Sequence, residues 1–207
     1  MEKATNILII FSEWVMNLFL LHLYWLFGTA IGGIIFGIIP SSVALFSSIR
    51  QLFMHPKDTN VRQHFKLAYK TNFKNSQLLG LYYLAIVILM MSYYNFLIAT
   101  TTSLWAYFHL FIYVFLVILI LFSFYLIPVY LHFEMPIKSI VPNTFRILLF
   151  NMKWNIPMLF SVLAIILLYI KFSVSLVVFG IALPAFIISF YCRITFKNFE
   201  KALKNLH

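Results

Sequence analysis

Four basic side chains recur at every fourth position between residues 61 and 75, which is a spacing that could bind anionic groups. They are Arg62, Lys66, Lys70 and Lys74. One residue before each lies an apolar or aromatic side chain, namely Val61, Phe65, Tyr69 and Phe73. On an α-helix this pattern makes a basic stripe beside an aromatic stripe, because residues four apart share one face.

Two uses of this helix follow from its two stripes. The first is anchoring: the helix lies in the membrane interface with its rings in the lipid and its charges toward anionic headgroups. The second is docking, in which the same basic stripe binds a cytoplasmic or membrane partner. We expect no binding of nucleic acid, since the sequence has no folded nucleic-acid-binding motif.

Small residues recur at spacing four shortly before this helix. Gly28 and Gly32 form one row, and Thr29, Gly33, Gly37 and Ser41 form another. Such rows let a second helix approach closely. We expect packing within the monomer, while a homodimer contact or a bent, substrate-lining helix stays open. Pro40 should kink or end the helix that carries the rows.

Catalytic chemistry is not indicated anywhere in the chain. The six histidines are scattered, there is one cysteine, and we find no H-E-x-x-H, G-x-S-x-G or Walker A motif. We therefore predict no catalytic residue, no metal site and no cofactor. The candidate buried polar groups are Asn17, His22 and Asn72, which could face a cavity or a neighbouring helix. No apolar run has a central charge, which argues against an ion-coupled carrier.

The candidate residues must be positioned by the segments around them, and long stretches of the chain contain no Lys, Arg, Asp or Glu. They cover 14–39, 77–133, 155–170 and 172–192, and 63% of the chain is hydrophobic against 10% charged. Runs of this length predict membrane spans. We predict a single integral membrane domain over 1–207, an all-α polytopic bundle of about five transmembrane helices.

The predicted elements can be placed along the chain. The spans cover about 14–39, 77–99, 105–131, 155–170 and 173–192, and cytoplasmic amphipathic helices cover about 61–75 and 139–153. The last two spans could instead form a re-entrant pair. The order of span, amphipathic helix and span occurs twice, before and after residue 105. A parallel internal repeat would explain this order, although apolar helices also look alike by chance.

The distribution of positive charge predicts the orientation. Net charge is +10, and thirteen of the 15 Lys and Arg residues lie in the segments 50–74 and 138–153 and in the C-terminal tail. By the positive-inside rule these segments are cytoplasmic. With five spans, the N-terminus is then outside and the C-terminus inside.

The first 80 residues or so also resemble a known family. The resemblance rests on Trp25-Leu26-Phe27, Phe36–Ser41, Ala44-Leu45 and Arg50, and then on Phe65, Tyr69-Lys70, Asn72-Phe73-Lys74 and Ser76. On these residues the chain resembles the YesL-like family of bacterial integral membrane proteins of unknown function (domain of unknown function 624). The resemblance implies about five spans in a bacterial cytoplasmic membrane. It also implies genes near carbohydrate ABC importers, glycoside hydrolases and sugar-responsive regulators, but no established activity.

These observations lead to two expected functions. The first is a non-enzymatic accessory membrane protein associated with carbohydrate uptake, which contacts an ABC importer permease or a sensor kinase through helix 61–75 and the small-residue face. The second is a small permease or channel-like subunit acting on its own, with the first and third spans lining a path. The expected partners also include anionic lipid headgroups and a second copy of the chain.

Overall fold

The computed structural model of the chain describes residues 2–56, 60–99, 106–133 and 137–204. These ranges hold eight α-helices and no β-strand. The helices are α1 (Glu2–Ile31), α2 (Ile35–Met54), α3 (Val61–Ala99), α4 (Ala106–Phe133), α5 (Ile137–Phe150), α6 (Met152–Lys171), α7 (Ser173–Phe179) and α8 (Ala182–Lys204).

Five of these helices are long and apolar enough to cross a membrane. They are Leu8–Ile31 of α1, Ile35–Met54, Val61–Phe96 of α3, Phe111–Phe133 of α4 and Met152–Lys171. The pair α7 and α8, bent by 68° at its break, could add a sixth crossing or form a re-entrant loop. The prediction of an all-α polytopic membrane bundle with about five transmembrane helices is therefore confirmed.

The apolar stretch predicted as one span over 14–39 reverses direction in its middle. Gly33 and Ile34 adopt φ angles of 75° and 60°, which belong to the left-handed region that ends a helix. The chain then returns along α1, since the rings of Trp14 and Phe53 lie 5.5 Å apart and the Trp25 indole N–H donates to Ser42 Oγ at 3.0 Å. The single span is thus replaced by an antiparallel hairpin of α1 and α2.

Small residues let the two helices of the hairpin touch backbone to backbone. A Cβ added at Gly37 would lie 2.3 Å from the Thr29 carbonyl oxygen, and one at Gly32 would lie 2.4 Å from the Gly37 Cα. A Cβ at Gly28 would meet Ser41 Oγ at 2.6 Å. Since real side chains never approach so closely, any larger residue at these positions must push the helices apart.

Pro40 neither ends nor starts a helix, because it lies within α2. A proline has no N–H, so the carbonyl four residues earlier loses its helical partner. In α2 that carbonyl belongs to Phe36, and it accepts a hydrogen bond from Gln77 Nε2 of α3 at 2.8 Å. A second carbonyl without a helical partner belongs to Gly180, in the break between α7 and α8, and it accepts a hydrogen bond from the Tyr169 hydroxyl at 2.7 Å. A neighbouring helix thus satisfies each of these two backbone groups.

The predicted amphipathic helix 61–75 and the span 77–99 form one continuous helix, α3. Its first half runs antiparallel to α2, from Ser48 beside His64 to Phe36 beside Gln77. Its second half extends beyond the tip of the hairpin. The helix α4 runs antiparallel to α3, since the Tyr83 hydroxyl donates to the Ser123 carbonyl at 2.6 Å and the Tyr130 hydroxyl donates to the earlier Asn72 at 3.0 Å.

The C-terminal part of the chain departs from prediction at one break. The predicted amphipathic helix 139–153 corresponds to α5, which ends at Phe150, and the span 155–170 corresponds to α6. The span predicted over 173–192 is divided at Gly180, whose φ of 29° ends α7. In the first half of the suggested repeat the amphipathic segment and the span are continuous, whereas Asn151 separates them in the second half. The repeat stays a prediction.

The buried side chains form two clusters. The first joins α1, α2 and the start of α3 with the start of α8, around Leu21, Leu45 and Ile49. The second joins α4, α5, α6 and α8, around Tyr125, Leu126 and Met158. Phe46 of α2 packs against both clusters.

The hairpin contact predicts opposite effects for two Gly→Ala changes. We expect Gly37→Ala to lower the free energy of unfolding by roughly 2–3 kcal/mol, because its methyl group must displace the backbone of α1. Gly80→Ala should be neutral or stabilising by up to about 1 kcal/mol, since a helical alanine is favoured. The new Cβ would meet only Ile39 Cγ1, at 3.5 Å.

Thermal unfolding of both purified variants in detergent tests this difference. Gly80→Ala is the matched control, because it makes the same chemical change within a helix. Equal melting temperatures for the two variants would contradict the close contact of α1 and α2.

Candidate functional site

The basic stripe of α3 faces outward. The side chains of Arg62, Lys66, Lys70 and Lys74 are all exposed. The one ion pair found in the described part of the chain joins His132 and Glu200. None of these four cations is therefore paired with an acidic side chain there. Among the described residues, the stripe therefore presents four positive charges without an acidic partner on one side of the helix.

The aromatic stripe faces the hairpin and not the lipid, which corrects the expected anchoring geometry. Phe65 is only 6% exposed and its ring lies 5.9 Å from that of Tyr24 in α1. The Tyr69 hydroxyl donates to the Gly28 carbonyl at 2.9 Å, and the Phe73 ring packs edge-on against Tyr69. The reason is shape: Gly28 leaves the surface of α1 flat, so the rings of α3 can lie on it.

The small-residue rows are therefore occupied by contacts within the chain. Gly28 lies under the rings of α3, Gly32 and Gly37 lie between α1 and α2, and Gly33 forms the turn. Pro40 and Ser41 are buried in the same hairpin. The face expected to accept a partner is thus covered by the first half of α3.

The three candidate buried polar groups lie in different environments. Asn17 is half-buried and lines a surface depression with Glu13. His22 is buried against the α7–α8 break, where a Cβ at Gly180 would lie 2.1 Å from the His22 Cε1 atom. Asn72 accepts a hydrogen bond from the Tyr130 hydroxyl at 3.0 Å and donates to the Ala68 carbonyl. It therefore faces a neighbouring helix and not a cavity.

A buried polar cluster that sequence analysis did not identify joins four helices. The Tyr125 hydroxyl of α4 donates to Asn155 Oδ1 of α6 at 2.8 Å and lies 3.3 Å from Thr195 Oγ1 of α8. Asn155 Nδ2 donates to the Leu148 carbonyl at the end of α5. These polar groups satisfy one another's hydrogen bonds. The cluster therefore holds the four helices together and offers no free nucleophile.

A pocket of about 250 Å³ lies where the ends of α2 and α4 meet α8. Its lining is mostly apolar and aromatic, and it also includes side chains of Arg, Lys, His and Glu. The apolar walls include Phe46, Phe53, Met54, Pro128, Leu131 and Phe196. The ionisable side chains are Arg50, His132, Arg193, Lys197 and Glu200.

Each of the two arginines is held by the last turn of a different helix. Arg50 of α2 donates from Nη1 to the Leu131 carbonyl near the end of α4. Arg193 of α8 donates from Nη1 to the Phe53 carbonyl near the end of α2, at 3.3 Å, and lies over the Phe53 ring. Such bonds satisfy carbonyls that a helix end leaves without partners.

Two of the three other ionisable side chains of the pocket, His132 and Glu200, lie in contact. His132 Nε2 lies 2.8 Å from Glu200 Oε1, and the His132 ring stacks on Phe196 with 4.5 Å between centroids. The carboxylate is therefore directed toward the imidazole. No group of three metal-binding side chains occurs among the described residues.

The chain is similar to one protein family and to three individual proteins. Residues 18–96 match a family model described as "Protein of unknown function, DUF624". Three uncharacterised proteins of Bacillus subtilis (strain 168) are similar. YesV is 28% identical over 68% of this chain and 67% of its own length, and YesL is 27% identical over 66% and 64%.

The third relative, YteU, is 39% identical over 34% of this chain and 32% of its own length. The matched regions thus span about two thirds or less of each relative. No solved structure is significantly similar to this chain. The resemblance predicted from the sequence is therefore confirmed as a similarity: residues 18–96 match the DUF624 family model, and about two thirds of the chain is similar to YesV and YesL.

Proposed function

We propose that this protein is a non-enzymatic accessory membrane protein that binds a membrane partner through the basic stripe of α3. The proposal rests on one observation, that Arg62, Lys66, Lys70 and Lys74 are exposed and without an acidic partner in the described chain. Charge complementarity would select a partner with an acidic surface. The family resemblance favours the permease of a carbohydrate ABC importer or a sensor kinase.

The aromatic stripe contributes to this function by fixing the helix. Phe65 and Tyr69 hold the first half of α3 on the hairpin, so its basic stripe keeps one direction. A rigid surface loses less entropy when a partner binds. This fixed orientation supports docking of a partner more than simple anchoring of the helix in the membrane interface.

We also propose a revised orientation, with both termini in the cytoplasm of a bacterium. An outside N-terminus was expected because one span over 14–39 carried the chain inward. In the hairpin, α1 runs parallel to the first half of α3, since Tyr24 meets Phe65 and Gly28 meets Tyr69. The N-terminus then lies on the side where the basic stripe begins. This placement leaves only Lys171 of the 15 basic residues on the opposite side.

Reversing the stripe tests the accessory function. We expect Lys66, Lys70 and Lys74, all changed to Glu, to abolish recovery of the partner, because attraction becomes repulsion. Affinity purification from native membranes in mild detergent, followed by mass spectrometry, measures the co-purified proteins. Membrane insertion and melting temperature should stay near those of the unmodified protein, since these side chains are exposed.

A matched control reverses Lys138, Arg146 and Lys153 to Glu. These three residues are also exposed and belong to the second amphipathic segment and the start of α6. We expect this variant to keep the partner. Equal retention by both variants would refute docking through α3, and recovery of the protein alone would favour the autonomous permease.

The orientation is tested by labelling single cysteines in intact cells with a membrane-impermeant maleimide. The native Cys192 is buried and would be changed to Ala. We expect Lys171→Cys to be labelled from outside, and Lys3→Cys and Lys204→Cys to be labelled only after permeabilisation. Labelling of Lys3→Cys in intact cells would restore the outside N-terminus.

A further inference from the structure

We infer that the pocket between α2, α4 and α8 binds the phosphate of an anionic phospholipid. The first argument is its shape and lining. A space of about 250 Å³ is lined by aromatic and aliphatic side chains, among them Phe46, Phe53 and Phe196, and also by cationic side chains. An acidic headgroup joined to an acyl chain has the same division into a charged and an apolar part.

The second argument is the charge of the pocket. Arg50, Arg193 and Lys197 supply three positive charges, and the Glu200 carboxylate, which lies against His132, supplies one negative charge. The C-terminal ends of α2 and α4 add about half a negative charge each. The sum stays positive, so the pocket favours an anion over a neutral or cationic molecule.

The third argument is that the two guanidinium groups are oriented before any ligand binds. A guanidinium has five N–H donors, and the described bond to a helix-end carbonyl uses one of them. The carbonyls of Leu131 and Phe53 therefore hold Arg50 and Arg193 in place while other donors stay available. Planar arrays of donors match the oxygen atoms of a phosphate.

The fourth argument is a polar atom without a partner in the wall of the pocket. The Ser189 hydroxyl oxygen is buried and makes no hydrogen bond in the described part of the chain. Burial of an unsatisfied hydroxyl is costly. An oxygen of a phosphodiester bound between the arginines could accept a hydrogen bond from this hydroxyl. The serine would then contact the same ligand as the arginines.

Native mass spectrometry of the purified full-length protein tests the inference. The probes are phosphatidylglycerol, phosphatidylcholine and inorganic phosphate, each added to the protein in detergent. We expect one phosphatidylglycerol to be retained per chain, about tenfold more strongly than phosphatidylcholine. The double variant Arg50→Gln, Arg193→Gln should reduce this retention about tenfold.

Two further variants separate the pocket from other causes. Lys66→Gln with Lys70→Gln removes the same charge from the α3 stripe and should leave the single bound lipid. Arg50→Lys with Arg193→Lys should recover part of the binding lost in the Gln pair, because it restores the charge but not the planar array of donors. A melting temperature near that of the unmodified protein shows that each variant is folded.

Three results would overturn the inference. The first is equal retention of both lipids. The second is an equal loss of phosphatidylglycerol in the double Lys variant and in the double Gln variant. This result would mean that the arginines serve only as helix caps. The third is stabilisation by inorganic phosphate to the same degree as by phosphatidylglycerol, which would assign the pocket to a soluble phosphate compound.

Discussion

The arrangement of this protein depends on the contact between the backbones of α1 and α2. At Gly37 the two helices are so close that a single methyl group would meet the Thr29 carbonyl oxygen at 2.3 Å. The turn at Gly33 and Ile34, with both φ angles positive, brings α2 back along α1. Glycine has no side chain to hold the backbones apart, and such close packing of small residues is a main source of helix association in membrane proteins.

The hairpin determines where the other elements lie. Its flat glycine surface accepts Phe65 and Tyr69, so the aromatic stripe of α3 points inward and the basic stripe outward. The end of α2 then lies beside α4 and α8, where Arg193 binds the Phe53 carbonyl. The docking surface and the anion pocket that we propose therefore both depend on the same reversal of the chain.

Much of the fold could be predicted from the sequence, because hydropathy and helical period are local properties. The apolar runs identify the membrane helices, and spacing four identifies both stripes of α3. The direction of the chain is not a local property. Residues 14–39 contain no charged side chain, so the hydropathy pattern does not mark the turn. The signal that could have located it is Gly32-Gly33, where two adjacent glycines weaken a helix.

The environment of a side chain was harder to predict than its periodicity. The aromatic stripe was expected in lipid, although Gly28 in the preceding helix offered a complementary surface 41 residues away. The pocket was missed because its parts come from distant segments: Arg193 and Phe53 are 140 residues apart. The Tyr125 cluster was missed because Asn155 lay at a predicted boundary, where a polar residue is ordinary.

The hairpin is tested most directly by crosslinking cysteines at Trp14 and Phe53 in a Cys192→Ala background. The rings of Trp14 and Phe53 lie 5.5 Å apart, so a short bifunctional thiol reagent should join the two cysteines within one chain in native membranes. The pair Trp14→Cys and Phe36→Cys, with one residue at the tip of the hairpin, should not be joined. A single continuous span would separate residues 14 and 39 by about 38 Å and carry residue 53 farther still. Absence of the 14–53 crosslink would therefore contradict the account.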